Sequence, residues 1–202
     1  NSLDMLVEDE AGHAYLRHYL IDFASTIGAG ARRPTLRYGY EYTFDVPAIL
    51  HRAFGLGLYE DGWRTLQLDP DLPEVGYWES EVWRPFGFDP LTPNTAFANC
   101  TWRDAYWAAK IITAFDDVLL EALVEEAGYL APAAGDQVLE VLKERRDAIG
   151  RVVFDQVPPL DFFAWRRPAD ADPRVVPGRL VFADLGVERG VAPAGRYRAR
   201  LA

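Results

Sequence analysis

Three consecutive helical segments between residues 101 and 155 restrict the fold of this chain more than any other feature of its sequence. Thr101 and Asp104 have the spacing of a capping box, in which each side chain accepts a hydrogen bond from the other residue's backbone N–H. Asp116 precedes a second run, "DVLLEALVEEA", and Gly128 ends it, because glycine readily takes the left-handed conformation that closes many helices. We therefore predict a mainly helical core over residues 101–155.

The third of these segments is the longest, beginning at Pro132 and continuing to about residue 154. Its apolar residues recur at helical spacing and its charged residues fall mostly on another face, as in an amphipathic helix. A shorter helix is predicted over residues 46–57, where Asp45 is a suitable N-cap and Pro47 lies in the first turn.

The N-terminal residues have the pattern of a β-hairpin. The stretches "LDMLVE" and "AYLRHYLIDF" are rich in branched and aromatic side chains, and "DEAGH" between them supplies Asp and Gly for a turn. We predict a hairpin over residues 1–23 and a loop, interrupted by Gly and Pro, over residues 24–45. Residues 58–100 combine prolines and glycines with many aromatic side chains, which favours an irregular segment packed on a core.

The C-terminal part of the chain changes pattern again. "RLVFADLGVERG" and "RYRARL" resemble strands, the second with strict alternation. We expect residues 158–202 to be β-rich and to begin a further module, and residues 1–157 to form one domain. Because the chain begins at Asn1 and ends in a strand-like run, we expect it to be part of a longer protein. The fold class predicted is α+β.

Composition and charge limit the functions that this chain can have. Of its 202 residues 50% are hydrophobic, which is enough to bury a sizeable core, and its net charge is −10. That charge argues against nucleic acid and anionic membrane surfaces as partners. No apolar run has the length of a membrane span. One Cys and three His do not favour a zinc site. A phosphate ligand that arrives with Mg²⁺ remains compatible, since the metal reverses the local charge.

The stretch "NSLDMLVEDEAGHAYLRHYLIDFAST" resembles the catalytic-loop and metal-binding hairpin of the protein-kinase-like superfamily. In that superfamily an Asn closes the catalytic loop, two strands follow, and Asp-Phe-Gly ends the second strand. Asn1 matches the loop Asn, and Asp22, Phe23 and Ala24 match Asp-Phe-Gly, with Ala where the family has Gly. The segments "YLIDFASTIG" and "ERRDAIGR" also resemble a family of uncharacterised bacterial proteins.

The resemblance implies that residues 1–157 are a kinase-like C-lobe that binds Mg²⁺ and ATP. Asp22 would chelate the Mg²⁺ that bridges the β- and γ-phosphates, and Asn1 would bind a second Mg²⁺. The catalytic base, the glycine-rich loop and the phosphate-pairing lysine would precede Asn1, so we expect residues 1–202 alone to lack transferase activity. The phosphoryl acceptor is unknown. The alternative for Asp22 is a strand-end aspartate whose side chain accepts hydrogen bonds from the next backbone N–H groups in a turn.

The small residues after Asp22 suggest further phosphate contacts. Ser25 and Thr26 could contribute hydroxyl groups to a nucleotide. The "GAGA" run followed by Arg32 and Arg33 has the composition of an anion-binding nest with two cationic side chains. The alternative for this run is a loop with two solvated arginines.

The sequence is compatible with two other functional interpretations. The first is a non-catalytic binding or structural module with a kinase-like shell, whose working surface is the aromatic-rich stretch 77–88 and the terminal strands. The second is a hydrolase that uses Glu79 and Glu81, which share one face if "YWESEVW" is extended. Cys100 has no neighbouring base in the sequence, and we predict a buried thiol there.

Overall fold

The computed structural model describes residues 2–20, 39–89, 92–166, 178–195 and 197. It contains helices and two separate antiparallel hairpins, so the predicted α+β class is confirmed. The chain divides into two compact units, which are residues 1–82 with 89–91, and residues 83–88 with 92–202. This division does not coincide with the predicted boundary at residue 157, and a further module after it stays a prediction.

The first unit begins with the hairpin of β1, Ser2–Glu8, and β2, Ala14–Leu20. The two strands pair in an antiparallel register from Ser2 opposite Leu20 to Glu8 opposite Ala14. Asp9 closes the turn, because its Oδ1 accepts hydrogen bonds of 2.9 Å from the backbone N–H groups of Ala11 and His13. The predicted hairpin is thus confirmed over residues 2–20.

The first unit also contains α1, Val46–Phe54. Asp45 caps it as predicted, with its Oδ1 accepting from the backbone N–H of Ala48 at 2.9 Å. The helix ends three residues before the predicted residue 57, because Leu56 and Gly57 both have a positive φ. A single 3₁₀ turn, Gly62–Thr65, follows within a mostly irregular stretch.

The second unit is built on α3, Trp102–Ile112, α4, Asp117–Ala127, and α5, Pro132–Gln156, after a single turn, α2, at Thr95–Ala98. The three helices predicted over residues 101–155 are confirmed, with short breaks between them. Since their start and stop signals act within one or two turns of the chain, local sequence is enough to place them.

The core of the second unit lies where α3 crosses α5. Small side chains of α3 allow the close approach of the two helices, and a short C-terminal helix, α6 (Leu185–Glu188), covers the junction. Its buried apolar side chains are Ala105, Ala109, Val153, Phe154, Leu185 and Val191. Residues after 157 therefore contribute to the same core as the helices.

The second hairpin consists of β3, Leu160–Arg166, and β4, Arg179–Asp184, which pair in antiparallel fashion. β3 lies within residues 158–202, which we predicted to be β-rich, although no individual strand was predicted at its position. The strand predicted over "RLVFADLGVERG" is wrong in its second half, because Asp184 ends β4 and caps α6. The Asp184 carboxylate accepts from the backbone N–H of Val187 at 3.2 Å. In the run "RYRARL" only Tyr197 lies within the described residues.

Candidate functional site

The predicted nucleotide and metal ligands lie outside the described residues: Asn1, Asp22, Ser25, Thr26, Arg32 and Arg33. The described hairpin next to them has its last paired residues at Ser2 and Leu20. In the sequence, Asn1 directly precedes the first of these, and Asp22 comes two residues after the second. In the sequence, both positions therefore flank the strand ends at which Ser2 pairs with Leu20.

Within the described part of the chain, no group of three or more His, Cys, Asp or Glu side chains is arranged to hold a metal ion. No helix in that part is both long enough and apolar enough to cross a bilayer. The longest, α5, carries charged residues along its length.

Among the described residues of the first unit, the most buried charged side chain is Glu41, which is 6% exposed. Its carboxylate accepts from Arg52 at 2.6 Å and lies 3.4 Å from Arg64. Arg52 also donates to Asp61 at 2.6 Å. Two carboxylates and two guanidinium groups thus balance one another's charge. This cluster is therefore suited to fixing α1 to the loops around it.

The pKa shifts of Arg52 and Asp61 agree with the pairing of opposite charges in this cluster. The hydrogen bond from Arg52 to Glu41, and next in size the one to Asp61, raise the pKa of Arg52 above its ordinary value. Burial alone would raise the pKa of Asp61, but the hydrogen bonds and charge of Arg52 outweigh it and leave that pKa below its ordinary value. Both groups are therefore charged across the physiological range.

Glu79 has a structural environment in the first unit. The Tyr40 hydroxyl donates to its Oε1, and the backbone N–H of Val82 donates to its Oε2 at 2.9 Å. Residues 80–82 form a bend, so the extended geometry that would place Glu79 and Glu81 on one face is not present. The hydrolase interpretation of this pair stays a prediction.

An apolar concavity with a volume of about 460 Å³ lies in the second unit. Three phenylalanine rings form one side of it, and small and branched side chains of α3 and α5 form the floor. Its lining residues are Pro85, Phe86, Phe88, Phe97, Cys100, Asp104, Ala105, Ala108, Ile112, Ile149 and Val153. This volume falls within the range of small-molecule sites in proteins, which are mostly apolar with a few polar groups.

The polar part of the cavity wall comes from the start of α3. The Thr101 hydroxyl donates to Asp104 Oδ2 at 2.6 Å, and the Thr101 backbone N–H donates to the same oxygen at 2.9 Å. These hydrogen bonds lower the pKa of Asp104, so its carboxylate is ionised at neutral pH. Cys100 is exposed, and the prediction of a buried thiol is wrong because this residue lies in the open turn between α2 and α3.

Sequence reasoning missed the cavity, although one signal for it was present. Small residues recur on α3 at Ala105, Ala108 and Ala109, and they follow a stretch rich in aromatic residues. Such a pairing indicates that bulky rings pack against a shallow helix surface. It does not by itself reveal that the rings leave a space open.

Two arginines of "ERRDAIGR", Arg145 and Arg146, have structural partners in the second unit. Arg146 donates to Asp117 and to Asp147, each at 2.7 Å, and so ties α4 to α5. The guanidinium of Arg145 lies 4.8 Å from the centre of the Trp83 ring, which is a cation–π distance.

No protein-family model, curated protein or solved structure matches this chain. Its function is therefore argued from its own residues.

Proposed function

We propose that this chain binds a magnesium–nucleotide complex beside the β1–β2 hairpin and belongs to a kinase-like phosphotransferase. The observation that carries the proposal is the register of the hairpin, which pairs Ser2 with Leu20. A metal-binding hairpin of the kinase type needs its two metal ligands at one end of two antiparallel strands. The positions of Asn1 and Asp22 in the sequence, next to this pair, support the proposal.

The chemistry of the ligand set also supports this proposal. A carboxylate and an amide carbonyl are hard oxygen donors, which Mg²⁺ prefers. Asp22 would hold the ion that bridges the β- and γ-phosphates, and Asn1 would hold a second one without adding negative charge. The bound metal would neutralise phosphate charge, which this acidic chain could not otherwise tolerate.

The residues after Asp22 have supporting roles in the proposal. Ser25 and Thr26 would donate hydroxyl hydrogen bonds to phosphate oxygens. Arg32 and Arg33 would contribute positive charge near the phosphates. The phosphoryl acceptor is left open.

Thermal stability in the presence of Mg²⁺-ATP tests this proposal. Saturation at about 100 times Kd should raise the free energy of unfolding by about 2.7 kcal/mol. Asp22→Asn should abolish the rise, because an amide cannot replace a carboxylate in holding the bridging ion. Glu10→Gln is the matched control, since Glu10 is an exposed residue in the turn at the opposite end of the hairpin.

The same titration is run with EDTA and on a chain extended upstream of Asn1, where the family's catalytic base would lie about five residues before this Asn. Both chains should show a Mg²⁺-dependent rise that Asp22→Asn removes. A rise of unchanged size in Asp22→Asn, or no rise in the extended chain, would contradict the proposal.

The second candidate is a non-catalytic binding module. Phe86 and Phe88 favour it, because these rings of the aromatic-rich stretch are 56% and 52% exposed and line the cavity of the second unit. Such a module would show no stabilisation by Mg²⁺-ATP and no phosphoryl transfer in the extended chain.

A further inference from the structure

We propose that the cavity of the second unit is a binding site for a small arylalkylamine, with the aromatic body among the phenylalanine rings and the ammonium group beside Asp104. This inference is independent of nucleotide binding, because every residue that lines the cavity belongs to the second unit.

The shape of the cavity favours a flat apolar body. Phe88 and Phe97 form an edge-on pair with centroids 5.7 Å apart, and Phe86 forms another with Trp102 at 5.3 Å. These contacts hold the rings in place, yet each of the three lining rings stays more than half exposed. Exposed aromatic rings around a concave surface are a typical environment for an aromatic ligand.

Two alanines on the floor of the cavity leave space open because their side chains are small. Ala105 and Ala108 lie on α3 one turn apart, and Ile149 and Val153 lie across from them on α5. Because Ala105 and Val153 are buried in the core, the floor rests on fixed side chains. A larger residue at position 108 would occupy the space that a ligand needs.

The charge of the ligand follows from Asp104, the one charged side chain among the described residues that line the cavity. Its Oδ2 receives both hydrogen bonds from Thr101, and its Oδ1 receives none from a described residue. This exposed carboxylate at an apolar wall attracts an ammonium group and repels an anion, although the positive charge of Arg103 also acts on it. An anionic ligand is thus disfavoured.

The test uses three probes that share one ring and differ in charge: 2-phenylethylamine, 2-phenylethanol and phenylacetate. Cys100 is the single cysteine of the chain and lines the cavity, so its rate of alkylation by iodoacetamide reports occupancy. The amine should protect the thiol at a concentration roughly tenfold below that of the alcohol, as one charge-assisted hydrogen bond predicts. Phenylacetate should protect least.

Two substitutions locate the site and its charge preference. Asp104→Asn should remove the advantage of the amine over the alcohol while the alcohol still protects. Ala108→Leu should fill the cavity and raise the protecting concentration of the amine at least tenfold. Ala122→Leu, an exposed change on α4 that does not line the cavity, should leave protection unchanged.

Several results would overturn the inference. These are no protection by the amine up to its solubility limit, equal protection by amine and phenylacetate, or full protection in Ala108→Leu. A thiol that becomes unreactive as protein concentration rises would show that a second copy covers the cavity instead.

Discussion

Replacement of glycine by alanine should have opposite effects on stability at two positions of α5. Gly135 and Gly150 both lie inside the helix and are both buried. Replacing either by alanine should gain about 1 kcal/mol of helix propensity, because glycine loses more backbone entropy on folding. Gly135 lies in the first turn of α5 and Gly150 farther along it, but the main difference between them is what the added methyl group contacts.

At Gly135 the new Cβ would lie 3.5 Å from Val124 Cγ1 and 3.8 Å from the Tyr129 ring, which are ordinary contacts. At Gly150 it would lie 2.9 Å from Thr113 Cγ2 and 3.1 Å from a methyl group of Val191. Neither side chain of the second pair can move easily, since both are buried and branched at Cβ.

The rotamer of Thr113 is held further by its hydroxyl, which donates to the Ala109 carbonyl at 2.8 Å. Overpacking of a rigid site costs about 1–3 kcal/mol. We therefore expect Gly150→Ala to destabilise the second unit by about 1 kcal/mol after the propensity gain is subtracted. Gly135→Ala should stabilise it by about the same amount.

Differential scanning calorimetry should show this as shifts of roughly 4 °C in opposite directions. Thr113→Ser supplies the control, because it removes the Cγ2 methyl group and keeps the hydroxyl. In that background Gly150→Ala should cost less, and the double-mutant cycle should give a coupling of about 1 kcal/mol. If Gly150→Ala stabilised the protein as much as Gly135→Ala, this result would contradict the tight packing around Gly150.

Two further predictions concern polar contacts. Thr101→Ala should destabilise α3 by about 1 kcal/mol at pH 7. Because the folded-state pKa of Asp104 is lowered, its bond to Thr101 stabilises the fold above the ordinary carboxyl range and is lost as pH falls through the lowered value. The cost of Thr101→Ala in urea unfolding should therefore shrink at pH 3, and an equal cost at both pH values would contradict this. Arg52→Met should cost about 2 kcal/mol, because it removes the shorter of the two arginine contacts of the buried Glu41, and Glu41→Gln in the same chain should recover part of the loss. A neutral effect of Arg52→Met in calorimetry would show that Glu41 is not buried as a charge.

The elements that sequence placed correctly are those with local signals. Asp45 and Asp116 cap their helices through backbone N–H groups three residues away, and Gly128 ends α4 with a φ of 66°. Each of these contacts is complete within one turn of the chain. Tertiary packing is therefore not needed to predict them.

The elements that sequence missed depend on distant partners. β3 pairs with β4 across an irregularity between Asp161 and Ala164, where Phe162 has a positive φ, so its side chains do not alternate regularly. α6 exists because Leu185 is buried against α3 and α5, which no pattern within "ADLGVERG" reveals. The cavity is missed for the same reason, since its walls come from three separate parts of the chain.

The ligands of both proposed sites are compatible with one electrostatic property of the chain, its net charge of −10. An acidic protein binds an anion favourably only where cations compensate the repulsion, so a nucleotide should bind with Mg²⁺ and should not bind in EDTA. The same excess of negative charge attracts an amine to the cavity, where Asp104 is already ionised. Raising the salt concentration should weaken amine protection of Cys100 and leave protection by the neutral alcohol unchanged, because only the first depends on charge.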